Sequence, residues 1–244
     1  MSFLNDVVNI VIKYYPNLLD GVGNTMLIAL IGTVAGLVIG LLTGVVRTAP
    51  LSKNAVLRVL HKILNAVIAV YVEIFRGTPM IVQGMIVYYG LLKAEVNITP
   101  VLAGIIVTVL NTGAYMAETV RGGINSVDKG QKEGAWSLGM SPMKTMLLVV
   151  LPQAFKNVVP EMVNTFLTNL KMTSVLNVIG VSELFLVAKT AGGTYYKYFE
   201  AYLVIAVIYF VLCFIFNRVF MALEKKLGNK SDYVLATEYI EEKM

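Results

Sequence analysis

Three stretches without a single Asp, Glu, Lys or Arg, at 21–46, 96–117 and 201–217, constrain this sequence more than any other feature. A lipid core about 30 Å thick is crossed by roughly 20 apolar residues in a helix. Within lipid, backbone amides must be satisfied inside the protein, which leaves helices or closed barrels. Composition agrees with the helical choice. Only 14% of residues are charged, against about 25% in a soluble domain. The expected fold class is all-α, a polytopic membrane protein.

Five spans are expected, at about 21–46, 63–92, 96–120, 160–187 and 195–220, inside a permeation domain covering 21–225. Gly32, Gly36, Gly40 and Gly44 recur four apart in the first. That stripe either admits a close helix neighbour or reflects ordinary glycine tolerance in lipid. The second span is interrupted by Gly77-Thr78-Pro79, where proline removes a donor and breaks the helix. Lipid tolerates such a break only where protein or water meets the freed groups.

Residues 1–20 lack a basic start, a clean apolar run and a small-residue cleavage site, so no cleavable signal peptide is expected. They read as an amphipathic helix on the outer membrane surface. Residues 226–244 read as a cytoplasmic tail. The single cysteine, Cys213, falls in the last apolar block, as a buried thiol.

Lys and Arg positions set the orientation. With the amino terminus outside and five alternating spans, fourteen of the twenty Lys and Arg fall in cytoplasmic loops and the tail. Four lie outside, and Arg76 and Lys171 lie within spans. This is a positive-inside pattern, and it makes the loop at 125–155 cytoplasmic.

That loop is polar and punctuated. Asp128 is placed to cap a helix, with Gln131 in the capping-box position. Gly139 supplies a left-handed stop, and Ser141-Pro142 opens a second helix. Ala135, Trp136, Leu138 and Met140 give the first helix an apolar side. Such a helix either rests on lipid or docks in a partner's groove.

Glu133-Gly134-Ala135, three residues, Gly139, nine residues, then Val149-Val150-Leu151-Pro152 resembles the EAA loop of ABC importer permeases. Gly134 stands where that family commonly has Ala. Glu73-Ile74-Phe75-Arg76-Gly77-Thr78-Pro79 and Glu118-Thr119-Val120-Arg121-Gly122-Gly123-Ile124 are similar to sequences of the polar amino-acid permeases, the histidine, glutamine and arginine type. The segment from Asn164 resembles that group's N-x-x-x-x-x-x-L-K-D-T-S-L, with Lys171, Thr173 and Ser174 in place but Met172 for the acid and Val175 for the last Leu.

The resemblance implies a type I importer fold with five transmembrane helices and a coupling helix. It implies an inner-membrane permease subunit for a polar amino acid (glutamine, arginine, histidine, glutamate or cystine), working by alternating access. A second permease subunit, two cytoplasmic ATPases that bind ATP and Mg, and an extracytoplasmic binding protein are the implied partners. Gln131, Glu133, Gly134, Ala135, Trp136, Leu138, Gly139 and Pro152 are then the coupling residues.

Ionisable groups inside a membrane usually face a cavity or a partner. Glu73 and Arg76 are three apart, and a local pair is expected ahead of substrate contact. Glu118 and Arg121 share that spacing and are expected to anchor the loop, with gating as the alternative. Lys171 has no acid within a turn and reads as a path or gate residue, or as half of an interhelical pair. Gln83, Asn111, Asn164, Asn169 and Ser174 are further candidates for the path.

The sequence has no Gly-x-x-x-x-Gly-Lys-Ser/Thr loop, so ATP binding by that route is excluded from this chain. One histidine and one cysteine make a metal or nucleophilic site unexpected, and no aromatic-basic stripe points to nucleic acid. An ion-gradient-driven transporter is the alternative; it leaves the EAA spacing as coincidence.

Overall fold

The computed structural model describes residues 2–51 and 54–226. Among these, five helices are long and apolar enough to cross a membrane: Phe3–Thr48, Ala55–Gly77, Pro100–Asn125, Pro142–Ile179 and Tyr198–Ala222. The expected tail, 226–244, lies outside the described residues apart from Lys226.

Helix α1 (Ser2–Thr48) runs unbroken for 47 residues, with Pro16 inside it. This corrects the expectation of a separate surface helix at 1–20. Ile10 and Leu18 are buried against Leu184, Val187 and Ala201, so this segment packs on the rest of the protein along one side, while Leu4, Val8 and Ile12 stay exposed on the other. Lys197 pairs with Asp6 at 2.9 Å, and that carboxylate holds the lysine above its usual pKa.

The second span is two helices, α2 (Ala55–Gly77) and α3 (Met80–Lys93), separated at Thr78-Pro79. It starts before the expected residue 63 because Asn54 caps it, its side chain accepting from Val56 and Leu57 N–H. Thr99 caps α4 (Pro100–Asn125), with Pro100 in its first turn.

Helix α4 is central, and its partner is the glycine stripe. Gly32, Gly36, Gly40 and Gly44 face Thr108, Thr112, Met116 and Val120 in turn. Both series advance by four, so α1 and α4 run in the same direction with their backbones close. Of the two readings of the stripe, close packing is the one the fold uses.

Beyond α4 come α5 (Lys129–Ser137), α6 (Pro142–Thr145), a π turn (Met146–Val150), α7 (Leu151–Met172) and a 3-10 segment (Thr173–Ile179). Helix α8 (Leu184–Tyr195) and α9 (Tyr198–Lys226) complete the described residues. The expected span at 160–187 is therefore corrected at both ends. It begins in the continuous helical run from Pro142, and it stops at Gly180, whose φ is +84°.

Two buried polar clusters tie the helices. Asn169 donates to Thr33 at 2.9 Å and to Thr112 at 3.0 Å, joining α7, α1 and α4. Glu183, fully buried, accepts from Phe185 and Leu186 N–H and from Tyr209 Oη, each at 2.9 Å. One carboxylate thus caps α8 and fastens it to α9.

Candidate functional site

The break between α2 and α3 leaves backbone carbonyls without helical donors, and two side chains supply them. The buried Gln83 amide donates to Phe75 O, Thr78 O and Thr78 Oγ1, all at 2.9 Å. Asn111 of α4 donates to Gln83 Oε1 at 3.0 Å and to Phe75 O at 3.3 Å. The proline break is thereby braced from within α3 by Gln83 and from α4 by Asn111.

Beside it lies a cavity of about 510 Å³ between α3, α4 and α7. Thr78, Asn111, Thr112, Thr119, Glu161, Thr165, Thr168 and Asn169 give it a polar wall. Met80, Met116, Met172 and Val175 give it an apolar one. Its size and mixed lining suit a small polar molecule.

A second grouping is charged. Glu118 Oε1 accepts from Arg47 of α1. Glu118 Oε2 accepts from Arg121 Nε at 3.0 Å and Nη2 at 2.7 Å. Arg76 approaches the same oxygen at 3.9 Å. The expected Glu118–Arg121 pair forms, but the expected Glu73–Arg76 pair does not. Glu73 is exposed, and Arg76 turns to α4, where its guanidinium lies 5.6 Å from the Tyr115 ring centroid.

Helix α5 carries the third feature. The Asp128 side chain accepts from Gly130 N–H at 2.7 Å. The reciprocal half of the expected capping box is absent, because Gln131 Oε1 instead accepts from Gln153 of α7 at 3.3 Å. At its end Met140 N–H bonds Ala135 O at 3.1 Å and Gly139 N–H bonds Trp136 O at 2.9 Å. That double bond pattern needs a left-handed residue, and Gly139 has φ +79°. Ala135 faces inward, while Glu133 and Gly134 are exposed. Trp136 and Leu138 are 51% and 85% exposed, an apolar edge that the described residues leave uncovered.

Pro152 has a structural part as well. In a regular helix its ring would clash with the carbonyl of Leu148, and the chain widens into the π turn immediately before it.

The remaining candidates fall away from the cavity. Asn164 donates to Glu161 at 3.5 Å but does not line it. Ser174 Oγ donates to Lys171 O at 2.8 Å. Lys171 is exposed and within electrostatic reach of Cys213 on α9, off the cavity's lining. Glu161, Thr165 and Thr168 were not singled out from sequence, although with Asn169 they recur at helical spacing on one face of α7. Among the described residues no cluster of His, Cys, Asp and Glu is placed to hold a metal.

Residues 36–229 match the family of binding-protein-dependent transport system inner membrane components. The arginine transport system permease protein ArtQ of Bacillus subtilis is 36% identical over 217 residues, 88% of this chain and 94% of that protein. The glutamine transport system permease protein GlnP of Escherichia coli is 33% identical, covering 87% of this chain and 93% of that one. The crystal structure of an amino acid ABC transporter with histidines superposes with a TM-score of 0.77 at 33% identity, over 88% of this chain and 96% of that one. The inward-facing MetNI methionine ABC transporter, 20% identical with a TM-score of 0.66, covers 86% of this chain and 97% of that one and shares the fold. ATP hydrolysis in such systems belongs to partner ATPase subunits, and a partner permease completes the membrane part. This chain belongs to the family of binding-protein-dependent transport system inner membrane components, as a multi-pass permease subunit of an ATP-driven importer.

Proposed function

We propose that this permease carries a polar amino acid through the cavity between α3, α4 and α7. The observation that carries the proposal is the cavity itself, with Asn111 on its wall, backed by Gln83 and set beside a braced helix break. The names of the relatives, arginine and glutamine permeases, supply the substrate class. The cavity's hydrogen-bond donors and acceptors suit the polar ends of a zwitterion.

Two such subunits, identical or similar, enclose the path, and an extracytoplasmic binding protein delivers the substrate. The amino terminus is outside and the 226–244 tail cytoplasmic, a reading supported by the charge count. Helix α5 is the coupling helix. Glu133 with the exposed Trp136 and Leu138 docks in the ATPase, Gly139 shapes the turn, and Gln131 with Pro152 ties the motion to α7. Closure of the ATPases then moves α4 and α7, which wall the cavity. The substrate shifts this equilibrium only through its different affinity for the two facing states.

The test is ATP-dependent uptake by the complete complex in liposomes, with binding protein and single amino acids. Uptake of one amino acid, lost in Glu133→Ala and Gly139→Asp while the complex still folds, is the expected result. Uptake that follows an ion gradient without ATP would overturn the reading.

A further inference from the structure

Two cavities meet at one side chain. Tyr115 lines the 510 Å³ cavity and also a second one of about 530 Å³, walled by Arg47, Glu73, Arg76, Glu118 and Arg121. The helix break divides in the same way. Thr78 and Pro79 face the first cavity and Arg76 and Gly77 the second. The second cavity lies toward the end of α4 that leads into α5.

The charges differ. The first cavity holds one ionisable acid, Glu161. The second sets three guanidinium groups against two carboxylates, leaving one positive charge in excess. That excess sits on the Glu118 group, where Arg47 and Arg121 share one carboxylate; Arg76 and Glu73 are the two charges of the wall outside that group. Both oxygens of Glu118 are already taken, one by Arg47 and one by Arg121. Arg76 comes third at 3.9 Å, with its side chain 44% exposed, and that distance is too long for a hydrogen bond. It rests on the Tyr115 ring with its donors open. A guanidinium fork matches a carboxylate in both shape and charge.

We propose that the second cavity is a transit site for the amino-acid substrate, in which Arg76 binds the substrate's carboxylate and the Tyr115 ring is the partition from the first cavity. This rests on the amino-acid importer reading. Substrate passing the ring leaves a wall whose only charge is Glu161 and meets one where Arg76 has open donors for its carboxylate and the exposed Glu73 stands on the same wall. Its ammonium and carboxylate ends are thus held in succession. Arg76 is a specificity-determining residue on this account, because its free donors select for an anionic end.

The test uses the purified permease–ATPase complex without binding protein. Equilibrium dialysis measures binding of labelled arginine, glutamine and histidine, each competed by its own carboxamide, which keeps the side chain and amine but lacks the anion. In wild type the carboxamide is expected to compete at least tenfold more weakly than the acid. Arg76→Gln should erase that difference and Arg76→Lys should keep part of it. Unchanged discrimination in Arg76→Gln, or no binding to the wild-type complex, overturns the site. In liposomes with binding protein, Tyr115→Ala should lower the amino acid taken up per ATP at least fivefold; an unchanged ratio rejects the partition. ATP-driven uptake by wild type separates the two failures. If wild type takes up amino acid but Arg76→Gln still discriminates, only the transit site falls; if wild type takes up none, the importer reading falls first.

Discussion

Gly40 and Met116 stand so close that a methyl group on the glycine would come within 2.2 Å of the Met116 Cβ. No flexible tip is involved, since Cβ is fixed by the backbone of α4. The separation of α1 from α4 is therefore set at this point, and the walls of the cavity are referenced to it.

Gly40→Ala should force the two helices apart. Overpacking of this kind costs about 1–3 kcal/mol, and thermal unfolding of the purified complex should report a lower midpoint. Gly134→Ala is the matched control, because nothing lies within 4 Å of its added Cβ. It should be neutral or stabilising by up to about 1 kcal/mol. Equal effects at the two positions would contradict the contact.

Asn111→Leu removes the donor to Gln83 Oε1 and one of the donors to Phe75 O. A buried acceptor left unmet costs about 1–3 kcal/mol. Uptake in liposomes should fall, since the break at Thr78-Pro79 loses one of its two braces. Asn111→Asp, which accepts where a donor is needed, should do no better. Normal uptake by both variants would show that the brace is dispensable.

Glu183 receives three donors on two oxygens. Glu183→Gln turns one acceptor into a donor facing a donor, and Glu183→Ala leaves two helix N–H groups and Tyr209 unmet. Loss of a helix cap alone costs about 0.5–2 kcal/mol. Hydrogen exchange at the start of α8 should speed up in both variants, more in Ala. If Gln exchanges like wild type, the carboxylate is not needed in both positions.

Leu138→Asp and Trp136→Asp alter only an exposed edge, so the subunit should fold and insert normally. Co-purification of the ATPase with tagged permease should drop at least tenfold. Gly139→Ala should act differently. It strains a residue at φ +79° by about 1–2 kcal/mol, weakening coupling through the shape of the turn. A retained ATPase in all three would remove α5 from the docking surface.

Features within a turn or two of each other were legible in the sequence. The break at Gly77-Thr78-Pro79, the stop at Gly139, the caps at Asp128 and Ser141 and the Glu118–Arg121 pair all rest on neighbours along one helix. What the sequence hid depends on how helices are rotated against each other. Arg47 is far from Glu118 in the chain yet shares its carboxylate, and Arg76 turns toward that carboxylate and not toward Glu73. Lys171 looked central because it is charged in mid-span, but the rotation of α7 gives the cavity to Glu161, Thr165 and Thr168 instead. Glu183 was read as part of a continuous span, since nothing local announces that Gly180 ends one segment and a buried carboxylate starts the next.

The π turn at Met146–Val150 has a geometric consequence. Each residue of an α-helix advances the azimuth by about 100°, and a π turn takes up one additional residue without adding a turn. Everything after it is out of phase, by that one step, with the helix begun at Pro142. Delete one residue there and Glu161, Thr165 and Asn169 would sweep about a quarter of a circle away from α4. The polar wall is aimed by a surplus residue near the loop, and α5 and the cavity are in register only because the helix between them miscounts once.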